Sequence, residues 1–79
     1  MEMVRMARFK TNIEQLMREK SARERRKITQ EIVAEETGLS LPTISRWVRS
    51  EVARIELDTV QKLCKYFDCS FEDLVSFEE

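Results

Sequence analysis

Thr29-Gln30-Glu31-Ile32-Val33-Ala34-Glu35-Glu36-Thr37-Gly38-Leu39-Ser40-Leu41-Pro42-Thr43-Ile44-Ser45-Arg46-Trp47 is the stretch that decides the fold of this chain. Thr29 and Ser40 are hydroxyl residues of the kind that cap helix N-termini. Gly38 can take the left-handed backbone conformation that ends a helix without steric cost. Their order predicts a short helix from about residue 30, a turn at Gly38 and a second helix over about 41–49. Val33 and Thr37 lie one turn apart on the first helix, and the small Ala34 beside them lets the second helix come close. Ile44 and Trp47, three residues apart, face back toward them. Leu41, Pro42, Thr43, Ser45, Arg46 and Arg49 are left facing outward, and none of them is acidic.

Two helices joined by a short turn containing glycine, crossing at roughly 90–120°, form a helix-turn-helix, whose second helix can enter the DNA major groove. The run from Thr29 to Ser50 resembles the Cro and phage-repressor (Xre-type) helix-turn-helix regulators, with their pattern T-Q-x-x-L-A-x-x-[TS]-G-[IVL]-S-x-x-[TS]-I-S-R-[WI]. The likeness continues through Ile55–Cys64 and Phe67–Leu74, which look like the family's last two helices, and covers roughly residues 9 to 75. It implies a compact, all-α, five-helix, lambda-repressor-like DNA-binding domain spanning residues 1–79. The helix-turn-helix would occupy about 29–49, with an N-terminal arm at 1–8.

The resemblance also implies roles. Gln30, in the first turn of the first helix of the motif, matches the family glutamine that holds a backbone phosphate, where helix N–H groups favour the same anion. Ser40 and Thr43 are short hydroxyl donors suited to phosphate, Ser40 through its backbone N–H if its side chain serves as the cap. Arg46 stands one turn beyond Pro42 and Thr43, where a guanidinium can grip guanine O6 and N7. Ser45 and Arg49 complete the expected DNA-binding set. Leu41 and Pro42 stand where family members often carry polar base readers; they offer apolar contact, suited to thymine methyl groups. Proline is tolerated in a helix's first turn because its missing N–H had no partner there. Ser50 replaces the glycine that usually follows the recognition helix, and Ile32 replaces a residue that is usually polar.

Composition fits this class. The chain has 79 residues, 37% of them charged, with one glycine and one proline, which favours a small helical domain with short connections. No apolar run approaches the roughly 20 residues of a membrane span, and no signal-peptide pattern stands at the start. Cys64 and Cys69 are too few for a disulfide framework, and without histidine they suggest no metal site. They read as reduced thiols, Cys64 in the core, of a cytoplasmic protein of bacterial or phage type; the alternative is a regulatory redox role. No cofactor or catalytic constellation is expected, so the chain does not read as an enzyme.

Net charge is −1, which is unusual for a DNA-binding domain until its distribution is examined. Residues 1–30 carry nine basic and four acidic side chains (net +5), residues 31–50 two and three (net −1), and residues 51–79 three and eight (net −5). Screening over about 8–10 Å makes a phosphate respond to the local field rather than the sum.

Along the rest of the chain, Phe9, Ile13, Leu16 and Met17 form the apolar stripe of a first helix. That helix runs into the basic segment 21–27, longer than the family's usual connection, and is expected to extend before a short loop leading to a buried Ile28. Arg23, Arg25, Arg26 and Lys27 are candidates for phosphate contact or a protein partner, the alternative being a solvated charged segment. Leu57, Val60, Leu63, Cys64 and Phe67 mark one face of a fourth helix. Ser70 and Asp73 open a short fifth. The segments at the two ends, Val4–Phe9 and Leu74–Phe77, alternate and suggest a small β-ribbon, within the chain or between subunits. The expected partner is double-stranded DNA, bound by a homodimer in transcription regulation, with no membrane. The alternative is a protein-interaction adaptor or antitoxin-like module on the same fold.

Overall fold

The computed structural model describes residues 8–78, in the order β1 (Arg8–Thr11), α1 (Ile13–Glu24), α2 (Gln30–Thr37), α3 (Leu41–Val48), α4 (Leu57–Phe67), α5 (Phe71–Leu74) and β2 (Val75–Glu78). The expected N-terminal arm lies outside the described residues except for Arg8. Five helices follow the expected order, and the two strands pair antiparallel within the chain, Thr11 opposite Val75 and Phe9 opposite Phe77. Phe9 therefore belongs to a strand and not to the stripe of the first helix. A two-stranded ribbon alone gains little; here Thr11 and Val75 are buried, and the Asn12 N–H donates to the Leu74 carbonyl at 2.9 Å. The ribbon thereby joins the first and last described segments beside the core.

Local chemistry explains most helix boundaries. The side chain of Thr29 accepts from the Ile32 N–H at 3.2 Å, and Ser40 caps α3 through the Thr43 N–H. Ser70 and Asp73 form a reciprocal capping box on α5. Among the described residues, three other than glycine hold positive φ: Arg25 (56°) after α1, Ser50 (58°) after α3 and Asp68 (55°) after α4. Following Asp68, the Cys69 N–H donates to the Cys64 carbonyl at 3.0 Å while the Asp68 N–H donates to that of Lys65 at 3.3 Å, a Schellman closure.

The core gathers Ile13, Ile28, Val33, Ile44, Trp47, Val60, Leu63, Phe67, Leu74 and Val75. Leu57 does not join it. At the first position of α4 it is 72% exposed, because the helix turns that residue off the packed face set by Val60, Leu63 and Phe67. Cys64 packs against the core but is only half-buried, short of the core position expected for it. Burial pushes the Cys69 thiol up to about 11, so it stays neutral near pH 7 and a poor nucleophile.

A polar network at the far side of α1 was not legible in the sequence. Lys20 is buried; its ammonium lies 4.4 Å over the Tyr66 ring, donates to the Tyr66 carbonyl at 3.1 Å and pairs with Glu24 at 2.7 Å. Arg26 grips both oxygens of Glu36 at 2.9 and 3.0 Å and reaches Glu24 at 2.9 Å. The Tyr66 hydroxyl also donates to Glu36, at 2.7 Å. One clasp thus ties the end of α1 to α2 and α4.

Candidate nucleic-acid interface

The turn between α2 and α3 sets the site. Gly38 has φ of 81° and its N–H donates to the Ala34 carbonyl at 2.9 Å. A Cβ there would meet nothing within 4 Å, so the backbone angle alone, not space, calls for glycine. The Thr37 hydroxyl braces the turn, donating to the Val33 carbonyl at 2.6 Å and accepting from the Leu39 N–H at 3.2 Å. With the turn fixed, Val33 and Ile44 become fully buried and Trp47 is 3% exposed. Filling the core with three such side chains contributes roughly 1.5–3 kcal/mol each and locks the rotation of α3 about its axis.

The opposite face of α3 lies open. Leu41, Pro42, Arg46 and Arg49 are exposed, while Thr43 and Ser45 are half-buried. Among the described residues Arg46 enters no ion pair or side-chain hydrogen bond, so its guanidinium is available to an outside acceptor. Arg49, the residue after α3, is held differently. It donates to the Ser45 hydroxyl at 2.6 Å and to Glu51 at 3.0 Å. Ser40 is spent on the cap: its oxygen accepts from the Thr43 N–H at 3.2 Å and lies 2.8 Å from the Thr43 hydroxyl, leaving its backbone N–H free of the cap role. Gln30 is half-buried at the first position of α2.

The basic segment divides. Arg23, Arg25 and Lys27 are exposed and enter no ion pair among the described residues, whereas the Arg26 guanidinium is occupied by Glu24 and Glu36.

One residue of the site escaped the sequence. Arg54, in the segment between α3 and α4, lines the same cleft as Thr43, Arg46 and Trp47, is likewise exposed, and enters no ion pair among the described residues. Nothing local marks it: only the path of residues 51–56 brings it beside α3.

A helix whose apolar side is buried, and whose free side offers an unpaired arginine with no carboxylate of its own, is built to meet a polyanion. The family model of the Cro/C1-type HTH DNA-binding domain matches residues 12–79. The chain belongs to the Cro/C1-type helix-turn-helix family. It is 34% identical over 77 residues to an uncharacterized HTH-type transcriptional regulator of Rickettsia conorii, covering 94% of this chain and 68% of that relative. It is 32% identical over 77 residues to another of Rickettsia prowazekii, covering 94% and 80%. No solved structure gives a significant match. As a Cro/C1-type domain the chain binds DNA, and among the described residues no helix is long and apolar enough to cross a membrane.

Proposed function

We propose that this Cro/C1-type protein is a sequence-specific transcription regulator that seats α3 in the major groove and works as an intracellular homodimer on two half-sites about 34 Å apart. The observation that carries the reading is the division of α3: Ile44 and Trp47 sealed in the core, Leu41, Pro42 and an unpaired Arg46 facing out. Arg46 grips a guanine edge, and Leu41 with Pro42 packs on thymine methyl groups. Gln30, Thr43 and the Ser40 N–H hold flanking phosphates and fix register, with Arg49 and Ser45 at the far end of the helix. The names of the Rickettsia relatives support regulation as the purpose of binding. Selection of bound sequences from a random duplex pool tests the reading. The expected result is a motif of two inverted half-sites, each containing a guanine; recovery of an unenriched pool would defeat it.

A further inference from the structure

The outer face of α1 carries a groove that this DNA reading leaves unused. Its floor is apolar, made by Met17, Ala22 and the edge of Ile28; its rim is cationic, with Arg18, Arg25 and Lys27 beside the clasped Arg26 and a single carboxylate, Glu14. The groove is braced from within. Arg25 turns the chain in the left-handed conformation, the Arg26 N–H donates to the Ser21 carbonyl at 3.2 Å, and the Ile28 N–H donates to the Ser21 hydroxyl at 2.9 Å. Arg26 then locks the loop to α2 through both oxygens of Glu36. Arg18, Arg25 and Lys27 are left exposed and enter no ion pair among the described residues.

We propose that this groove docks an acidic amphipathic helix of a protein partner, leucine-like side chains on the floor and carboxylates against the rim. Charge complementarity selects the sign of the occupant, since three free cations face one carboxylate. The floor selects its class. A phosphate backbone has no apolar surface to place on Met17, Ala22 and Ile28, whereas an amphipathic helix laid in a groove does, and methionine adapts its shape to such a guest. The pre-formed loop removes an ordering cost that a mobile basic tail would have to meet on binding.

A synthetic helical peptide with leucines at i, i+3, i+4 and i+7 and glutamates elsewhere is the probe. Titrated into isotope-labelled protein, it should shift the amide signals of Met17, Ser21, Ala22 and Ile28. The same leucine pattern with lysines for glutamates should not. Arg18→Glu with Lys27→Glu changes two exposed, unpaired side chains, so folding, checked by circular dichroism, should persist while affinity for the acidic peptide falls about tenfold or more. Unchanged affinity in that variant, or shifts confined to α3 and α4, would overturn the proposal. So would a duplex that shifts the groove signals and whose salt dependence weakens in the same variant, because the groove would then belong to nucleic acid. Duplex binding by the wild type, measured separately, reports on the DNA reading and does not depend on the peptide result.

Discussion

Ser50 shows how one side chain can offset a strained backbone. Its φ of 58° is left-handed, a conformation that costs a residue with a Cβ on the order of 1 kcal/mol. Against this, its hydroxyl accepts from the Thr11 N–H at 3.0 Å and lies 3.4 Å from the Thr11 hydroxyl, which itself donates to the Trp47 carbonyl. The contact joins β1 to the end of α3. Replacing Ser50 with alanine keeps the strain and strands a donor on a buried residue, a loss of about 1–3 kcal/mol in chemical denaturation. Ser50→Gly loses the same acceptor but relieves the angle, so it should be the milder of the two. If alanine proves milder, the left-handed angle is not what the substitution reads, and if neither variant loses stability the hydrogen bond is not what holds the turn. Arg46 is the corresponding residue for recognition. With its guanidinium unpaired, Arg46→Ala should leave the midpoint of thermal unfolding nearly unchanged and flatten discrimination between the selected duplex and a guanine-substituted one by roughly 1–3 kcal/mol. Equal losses on both duplexes would place Arg46 on a phosphate instead.

Between elements, the clasp on Glu36 gives stability a pH dependence. Hydrogen bonds from Arg26, then from Tyr66, lower the Glu36 carboxyl from its ordinary 4.5 to about 2. A carboxyl that ionises more readily when folded favours the folded state above its unfolded value and loses that contribution as the pH falls toward the folded one. Thermal unfolding should therefore shift downward as the pH drops from about 5 to about 2, and Glu36→Gln should remove part of that slope, with a slope identical to wild type counting against the clasp. None of this was legible in the sequence, because Arg26 and Glu36 stand ten residues apart and Tyr66 thirty beyond Glu36. What could be read was local: caps at Thr29, Ser40 and Ser70, the glycine that ends α2, and the three- and four-residue spacings that bury Val33, Ile44 and Trp47. Phe9 and Leu57 were misplaced for the converse reason. Each continues an apolar spacing, but pairing with β2 takes Phe9 out of α1, and the start of α4 turns Leu57 into water. The free face of α3 followed from its buried face; Arg54 beside it did not, since the course of a loop carries no periodicity.

Across the whole molecule, charge is separated rather than absent: net +5 over residues 1–30 and −5 over 51–79 leave a chain of net −1. Local cations rather than total charge should govern binding, so affinity for the selected duplex should fall steeply with added salt despite the acidic pI of 5.6. A single α3 of eight residues presents few base contacts, and a domain of this size buries little surface on one half-site. Two copies double both, provided their α3 helices reach the same side of the duplex one helical turn apart. Spacing then becomes the measurable quantity. Inserting about 5 base pairs between the half-sites rotates the second to the opposite face and should reduce affinity to that of an isolated half-site, while about 10 base pairs restore the facing but stretch the separation past what a fixed dimer spans. Gel-shift titrations on the three duplexes should therefore show tight binding only at the native spacing. Equal affinity at all three would mean that the copies bind independently, and the partnership would have to be abandoned while the reading of each half-site by α3 stood.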